Sequence, residues 1–165
     1  MSDETSSVDE GYLRRCVELA TQALENGDDP FGSVLVDADG ATLAEALNRE
    51  QSDRDPTAHP ELALVRWAIA HLTPDQRTTT TVYTSGEHCP MCAAAHAWSG
   101  LGRVVAAASA AQLAEWRASW GLPAGPVSPM PLTVIAPDVE VIAPVAPFDA
   151  QMHDLHLRAL ARAKG

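Results

Sequence analysis

The stretch Asp29-Pro-Phe-Gly-Ser-Val-Leu-Val-Asp-Ala-Asp-Gly-Ala-Thr-Leu-Ala-Glu-Ala-Leu47 decides how the fold begins. Its apolar run Ser33 to Asp37 predicts a strand, because short apolar runs between turn residues are typical of strands. Asp37 to Gly40 predicts a hairpin turn, and Ala41 to Leu47 can return beside the first strand. The sequence therefore predicts a sheet that begins with an antiparallel hairpin.

Helices and strands alternate on both sides of this hairpin. Apolar residues recur at helical spacing over 8–26, and the almost continuously apolar segment 60–72 predicts a buried helix. Further strands are predicted at Thr78 to Ser85, at Arg103 to Ala108 and at either Leu132 to Ile135 or Val139 to Ile142. Further helices are predicted at 90–99, 112–120 and 148–163, and a proline-rich loop is predicted at 121–131. This order predicts an α/β fold of three layers, α/β/α, with helices on both faces of a mixed five-stranded sheet.

Composition limits the kind of partner. A chain of 165 residues suits one core, so we expect a flexible start over 1–8 and a single domain over 9–165. The formal net charge is −11, and the whole acidic excess lies in residues 1–61. Binding to nucleic acid or to an acidic membrane surface requires basic residues, so both partners are disfavoured. With no secretory signal, no apolar run of membrane-spanning length and an odd number of cysteines, we expect a cytoplasmic protein.

Three side chains that can bind a metal ion lie at or near predicted helix starts. Cys89 and Cys92 form a C-x-x-C pair, and His59 lies 30 residues before Cys89. Pro60 and Pro90 fit the first position of a helix, which places His59 and Cys89 at helix N-termini. Thiolates and imidazole are ligands that zinc prefers, and catalytic zinc sites keep three protein ligands. The pattern predicts one zinc ion per chain.

Glu61 follows in the first turn of the helix that His59 begins. It can exchange protons with water on a metal without being a ligand. Other interpretations stay open at this point. The cysteines can form a redox pair, Glu61 can be an ordinary capping carboxylate, and His88 or Cys16 would complete a closed structural site.

These residues give the sequence its resemblance to a known family. His59-Pro60-Glu61 followed by Cys89-Pro90-Met91-Cys92 is similar to the H-x-E and P-C-x-x-C signature of zinc nucleobase deaminases. The sequence resembles the cytidine deaminase-like superfamily, and most closely its branch of guanine, cytosine and tRNA adenosine deaminases. The runs Asp29-Pro-Phe-Gly32 and Asp55-Pro-Thr-Ala-His59 are similar to that branch, and the likeness extends from about residue 10 to about residue 108.

The resemblance implies roles for individual residues. His59, Cys89 and Cys92 would bind zinc, and Glu61 would be the catalytic proton shuttle. The candidate substrate contacts are Asn48, Phe31, Pro60 and Glu87. Asn48 would hydrogen-bond the base and Phe31 would line the pocket, the alternatives being a turn residue for Asn48 and core packing for Phe31.

Three positions depart from the family pattern. Pro60 stands where alanine or glycine is usual and has no N–H to offer a substrate, which predicts a base with a different hydrogen-bond pattern beside the reactive carbon. His88 replaces a proline, and we expect it to be an exposed loop residue or else a donor behind the cysteines. Gly86 replaces a larger residue and is expected to loosen the approach to the site. The carboxylate segment of guanine deaminases is not recognisable, and Glu115 is a weak substitute.

The leading functional hypothesis is a zinc-dependent deaminase of a free amino-substituted base, either guanine or a guanine-like ring such as isocytosine or an aminotriazine. The alternatives are a tRNA adenosine-to-inosine deaminase, which needs basic surface, a cytosine or nucleoside deaminase, a catalytically silent interaction protein and a zinc-stabilised module. The acidic segment 1–61 contains the predicted substrate loop 48–58, which favours neutral bases over phosphorylated substrates.

The resemblance also implies a homodimer in which the last helix covers a pocket. Phe148, His153 and His156 are the candidate lid residues on that helix. The alternatives are helix packing for Phe148 and a solvated face for the two histidines.

Overall fold

The computed structural model describes residues 8–165. The predicted flexible start therefore lies, except for Val8, outside the described residues. The helices are α1 Glu10–Glu25, α2 Pro60–His71, α3 Pro74–Thr78, α4 Pro90–Ser99, α5 Ala110–Ser119, α6 Leu132–Ile135 and α7 Phe148–Ala163, and the strands are β1 Gly32–Val36, β2 Thr42–Leu47, β3 Thr81–Gly86, β4 Arg103–Ala108 and β5 Val141–Ile142.

The five strands form one mixed sheet in the order β2-β1-β3-β4-β5. β1 is antiparallel to both β2 and β3, whereas β3, β4 and β5 run parallel to one another. The predicted opening hairpin and the mixed five-stranded sheet are both confirmed. Because β1 runs against β3, the end of β3 lies beside the beginning of β1 and the end of β2.

Two apolar cores lie on opposite faces of the sheet. One packs α1 and α7 against the sheet, with Leu13, Val34 and Met152 fully buried. The other packs α2 and α4 against the opposite face, with Leu35 and Leu64 buried. Alternate residues of β1 thus serve opposite cores, as the two-residue period of a strand requires. The predicted α/β/α layering is confirmed.

Several element bounds differ from the sequence-based expectation. Thr78, predicted to begin a strand, is instead the last residue of a short helix, α3. Thr73 and Gln76 form a capping box that starts this helix just before the β-branched run. A second capping box, from Ser109 and Gln112, starts α5 earlier than predicted. Of the two candidate last strands, Val141–Ile142 pairs with β4 and Leu132–Ile135 is a helical turn.

Gly32 lets the first helix approach the sheet. A Cβ added at Gly32 would lie 2.5 Å from the Leu19 Cβ and 2.8 Å from the Ala20 nitrogen. Only glycine fits so close a backbone contact. Gly32 thereby sets how closely α1 packs against the beginning of β1, which lies beside the site.

No helix in the part of the chain that the structure describes is long and apolar enough to cross a membrane.

Candidate active site

The candidate site lies at the sheet edge where β3 ends and β1 begins. Asn48 follows the end of β2 there, and its backbone N–H donates to the Phe31 carbonyl at 3.0 Å. Two helices also begin at this edge, with His59 as the N-cap of α2 and Cys89 as the N-cap of α4. The α2–α4 packing brings these two helix N-termini together, and each has proline at its first position as the sequence predicts.

His59, Cys89 and Cys92 form a compact metal-ligating cluster. The His59 Nδ1 lies 3.5 Å from the Cys89 Sγ and 3.6 Å from the Cys92 Sγ. Zn–N and Zn–S bonds of about 2.0–2.1 and 2.3 Å at a tetrahedral angle would place nitrogen and sulfur roughly 3.5 Å apart. The geometry of the three donors therefore fits a tetrahedral zinc ion with one position left for another ligand.

The electrostatics of the cluster also favour a cation. The neighbouring Cys92 thiol, and then His59, lower the pKa of Cys89. Cys89 and then Glu50 raise the pKa of His59 to about 10. The site therefore attracts positive charge, which a divalent ion would supply to two thiolates and a neutral imidazole.

Glu61 is a buried carboxylate beside this cluster. Its side chain is 5% exposed, and burial raises its pKa to about 7. The Thr84 hydroxyl lies 2.9 Å from a carboxylate oxygen of Glu61 and 2.9 Å from the Gly86 carbonyl oxygen, while Ser33 donates to Thr84. Since Thr84 has a single proton, it can donate to an ionised Glu61, or donate to Gly86 and accept from a protonated Glu61. The site thus accommodates both protonation states of this carboxyl group.

Glu50 connects the histidine ligand to Asn48. A carboxylate oxygen of Glu50 lies 3.6 Å from the His59 Nε2, on the opposite side of the ring from the cysteines. The same oxygen accepts from the Asn48 amide at 2.6 Å, and the Glu50 backbone N–H donates to the Asn48 side-chain oxygen at 3.0 Å. Carboxylates behind metal-ligating histidines orient the ring and strengthen the ligand. Asn48 retains one amide N–H and one lone pair for a substrate.

A cavity of about 540 Å³ opens onto the cluster. All four candidate substrate contacts, Asn48, Phe31, Pro60 and Glu87, line it together with Glu61, His59 and Cys89. A Glu87 carboxylate oxygen also accepts from the Leu132 backbone N–H at 3.0 Å, which fixes the start of α6. Phe31 lies against Gly86, where an added Cβ would meet its ring at 3.1 Å. Gly86 therefore makes room for the pocket wall.

The last helix supports this wall from behind. His156 lies edge-on to the Phe31 ring, with the two ring centroids 5.1 Å apart. His153 packs edge-on against Trp116, with a centroid distance of 4.9 Å. The predicted solvated face for the two histidines is wrong, because Trp116 of α5 lies against both rings and leaves them half-buried. Phe148 is buried in the core, as the helix-packing alternative predicts.

The other candidate metal ligands lie apart from the cluster. Cys16 is buried in the α1 core, and among the described residues neither it nor His88 joins His59, Cys89 and Cys92. The expectation of an exposed His88 is wrong, since its side chain is 1% exposed and lies edge-on to His96 at 5.0 Å. Its position between β3 and the packed start of α4 buries it. Glu115 is exposed and does not line the cavity.

Sequence reasoning missed the residues that act through others. Glu50 stands in a polar loop with Asp53 and Asp55, and nothing in its spacing separates it from these two carboxylates. Thr84 is one of several threonines in a β-branched run. Both are identified only by contacts across the fold.

The comparisons with known proteins agree with this geometry. Residues 6–108 match the cytidine and deoxycytidylate deaminase zinc-binding region. The chain belongs to this deaminase family, whose zinc site is formed here by His59, Cys89 and Cys92.

Individual relatives show the range within the family. The chain is 40% identical over 107 residues to the guanine deaminase of Bacillus subtilis, covering 64% of this chain and 68% of that protein. It is 36% identical over 104 residues to the tRNA-specific adenosine deaminase of Haemophilus influenzae, covering 63% and 60%. The solved guanine deaminase of Nitrosomonas europaea has the same fold, with a TM-score of 0.72 at 21% identity, covering 94% of this chain and 86% of that one.

Glu50 is expected to strengthen zinc binding. Glu50→Gln should lower zinc affinity by about 10–100-fold, because it replaces the anion behind the His59 ring with a neutral amide. Competition with a chromogenic chelator measures this, and Asp53→Asn in the same loop, where Asp53 pairs with exposed Arg49, is the matched control. Equal zinc affinity in the two variants would contradict the role of Glu50.

His156 is expected to limit stability in acid. Burial, and then Arg117, lowers the pKa of His156 to about 4. Between pH 6.5, the ordinary pKa of histidine, and pH 4, His156 binds a proton in the unfolded chain but not in the folded one. The free energy of unfolding should therefore decrease by up to about 3 kcal/mol over this pH range. His156→Leu should flatten this part of the pH dependence in urea unfolding.

The same substitution at exposed His71 is the control for the loss of a surface histidine. An unchanged pH dependence in His156→Leu would contradict the prediction, because it would show that folding does not shift the pKa of His156.

Proposed function

We propose that this protein is a zinc-dependent hydrolytic deaminase of a free amino-substituted heterocyclic base, guanine or a guanine-like ring such as isocytosine or an aminotriazine. The observation that carries the proposal is the buried Glu61 carboxylate beside a three-ligand zinc site in one cavity. Three protein ligands are typical of catalytic rather than structural zinc.

Bound zinc lowers the pKa of a coordinated water towards neutrality, which provides a nucleophile at physiological pH. Glu61 accepts and returns protons. With a pKa near 7, it is suited to take a proton at one step and to give it to a ring nitrogen or a departing amine at another. Thr84 holds its carboxyl oxygen through both states.

The cavity lining positions the base. Asn48 offers a remaining donor and acceptor to a heterocycle, and its bonds to Glu50 fix the direction of its amide. Phe31 provides an aromatic wall that suits a planar ring. Glu87 is a candidate acceptor for a ring N–H or an amino group. Pro60 lines the cavity without a backbone donor.

The charges around the cavity favour a neutral base over a nucleotide. The carboxylates of Glu50 and Glu87 line the cavity, and Arg117 is the arginine in its lining. A phosphate would meet repulsion from these carboxylates. The 40% identity to a guanine deaminase supports the same choice.

A tRNA adenosine deaminase is the second candidate, favoured by the 36% identity to such an enzyme. The net charge of −11 opposes it, because tRNA binding relies on basic contacts to phosphates. Filter binding of tRNA at low salt separates the two candidates. Homodimer formation, implied by the family resemblance, is also part of the proposal, and sedimentation equilibrium tests it.

Glu61 should be indispensable for turnover but not for folding or metal binding. Glu61→Gln should lower ammonia release by about 10²–10⁴-fold because it removes the proton shuttle, while zinc content and melting temperature stay near wild type. The assay covers guanine, cytosine, isocytosine, adenine, cytidine, guanosine and aminotriazines.

Glu115→Gln is the matched control, since Glu115 is exposed on α5 outside the cavity. Wild-type protein that releases ammonia from none of the bases would overturn the proposed function.

Pro60 should tune the choice of base. Pro60→Ala restores a backbone N–H at the cavity wall, and a substrate acceptor that pairs with this donor should gain about 1–3 kcal/mol. The ranking of kcat/KM across the same panel should therefore change in favour of bases with an acceptor beside the reactive carbon. An unchanged ranking would mean that this backbone position does not contact substrate.

A further inference from the structure

The cavity has two unlike ends. Its inner end carries the zinc ligands, Glu61 and Asn48. The outer end, called here the outer chamber, is lined by apolar side chains from α5 and the loop that follows it: Leu113, Ala114, Ala118, Leu122, Val127 and Met130. Both ends belong to one continuous cavity, so a ligand bound at the zinc extends towards the outer chamber.

The volume exceeds what a free base needs. About 540 Å³ lies within the range of cavities that enclose drug-sized ligands. A single or fused heterocycle that touches Glu61 and the zinc ligands fills only the inner end. The outer chamber therefore remains available to a substituent on that heterocycle.

The outer chamber is held open by its own backbone. The loop between α5 and α6 is attached at both ends, by the Leu122 N–H to the Arg117 carbonyl at 3.1 Å and by the Leu132 N–H to Glu87 at 3.0 Å. The loop also contains Pro123, Pro126, Pro129 and Pro131. Proline fixes φ at each of these positions and limits collapse into the cavity.

The chemistry of the outer chamber suits an apolar group. Val127 and Met130 keep 53% and 36% of their surfaces exposed, and each methylene that a ligand buries there contributes about fourfold in affinity. A ribose would need hydrogen-bond partners for its hydroxyl groups. Ser128 and Arg117 are the two side chains at this end that could serve as such partners, and the remaining lining side chains there are apolar. An apolar substituent needs no such partners.

We propose that the outer chamber binds an apolar alkyl or aryl substituent, so that among amino-heterocyclic bases the preferred substrates are those that carry such a substituent on the ring. This inference rests on the proposed deaminase function. Ala114 and Ala118 then determine specificity, because their small side chains leave the space that the substituent occupies.

The test compares a parent base with its alkyl and benzyl derivatives in wild-type protein and in Ala118→Phe. We expect derivatives to exceed the parent in kcat/KM by about tenfold or more. Ala118→Phe fills the outer chamber and should remove this advantage, so that parent and derivatives then differ in kcat/KM by less than about twofold. Ala111→Phe is the matched control, an exposed position on the same helix outside the cavity.

Equilibrium binding of the same pairs to zinc-loaded Glu61→Gln gives a readout that does not depend on turnover. Equal affinity for parent and derivative there, or an equal loss of both in Ala118→Phe, would overturn the inference, while turnover of the parent would leave the proposed function intact. A nucleoside monophosphate that exceeds every apolar derivative, and loses its advantage in Arg117→Gln, would also overturn it. Failure of the proposed function shows separately, as an absence of ammonia release from every compound.

Discussion

The meeting of two helix N-termini at one edge of the sheet is the constraint on which the site depends. His59 and Cys89 cap α2 and α4, and the packing of these helices against β1, β3 and each other brings a nitrogen and two sulfurs within 3.6 Å. Proline at the first position of each helix fixes where the helix begins. A shift of either helix by one residue would turn its ligand away from the metal.

Two carboxylates, the buried Glu61 and the half-buried Glu50, lie near the same zinc site in different environments. Glu61 is buried beside Thr84, and burial holds its pKa near neutrality, where proton exchange is efficient. Glu50 sits behind His59, and the nearby His59 ring and the hydrogen bond from the Asn48 amide lower its pKa against the effect of burial. Glu50 therefore stays anionic and orients its neighbours. The roles proposed for Glu61 as proton carrier and for Glu50 as positioning group thus rest on a difference in environment, because the two residues are of the same type.

The two ends of the cavity come from different parts of the chain. The zinc ligands and Glu61 lie in the segment shared with deaminases of guanine and of tRNA adenosine. The outer chamber comes from α5 and from a loop of four prolines, both beyond residue 108 where the family match ends. The proposed selection for a ring substituent would therefore depend on residues outside the matched segment, whereas the candidate contacts to the ring itself lie inside it. The zinc chemistry by itself leaves the choice of heterocycle open.

The sequence determined the opening hairpin and the three-layer order, because periodicity repeats along each element. It also indicated the zinc ligands and Glu61, because these residues stand at predicted helix starts in motifs that resemble a known family. It could not place His88 or His156, whose burial depends on aromatic neighbours from other elements. It also could not separate Glu50 from Asp53, since only the packed fold shows which carboxylate faces the His59 ring. The tertiary structure decided these roles, because burial and hydrogen-bond partners are set by contacts between residues far apart in the chain.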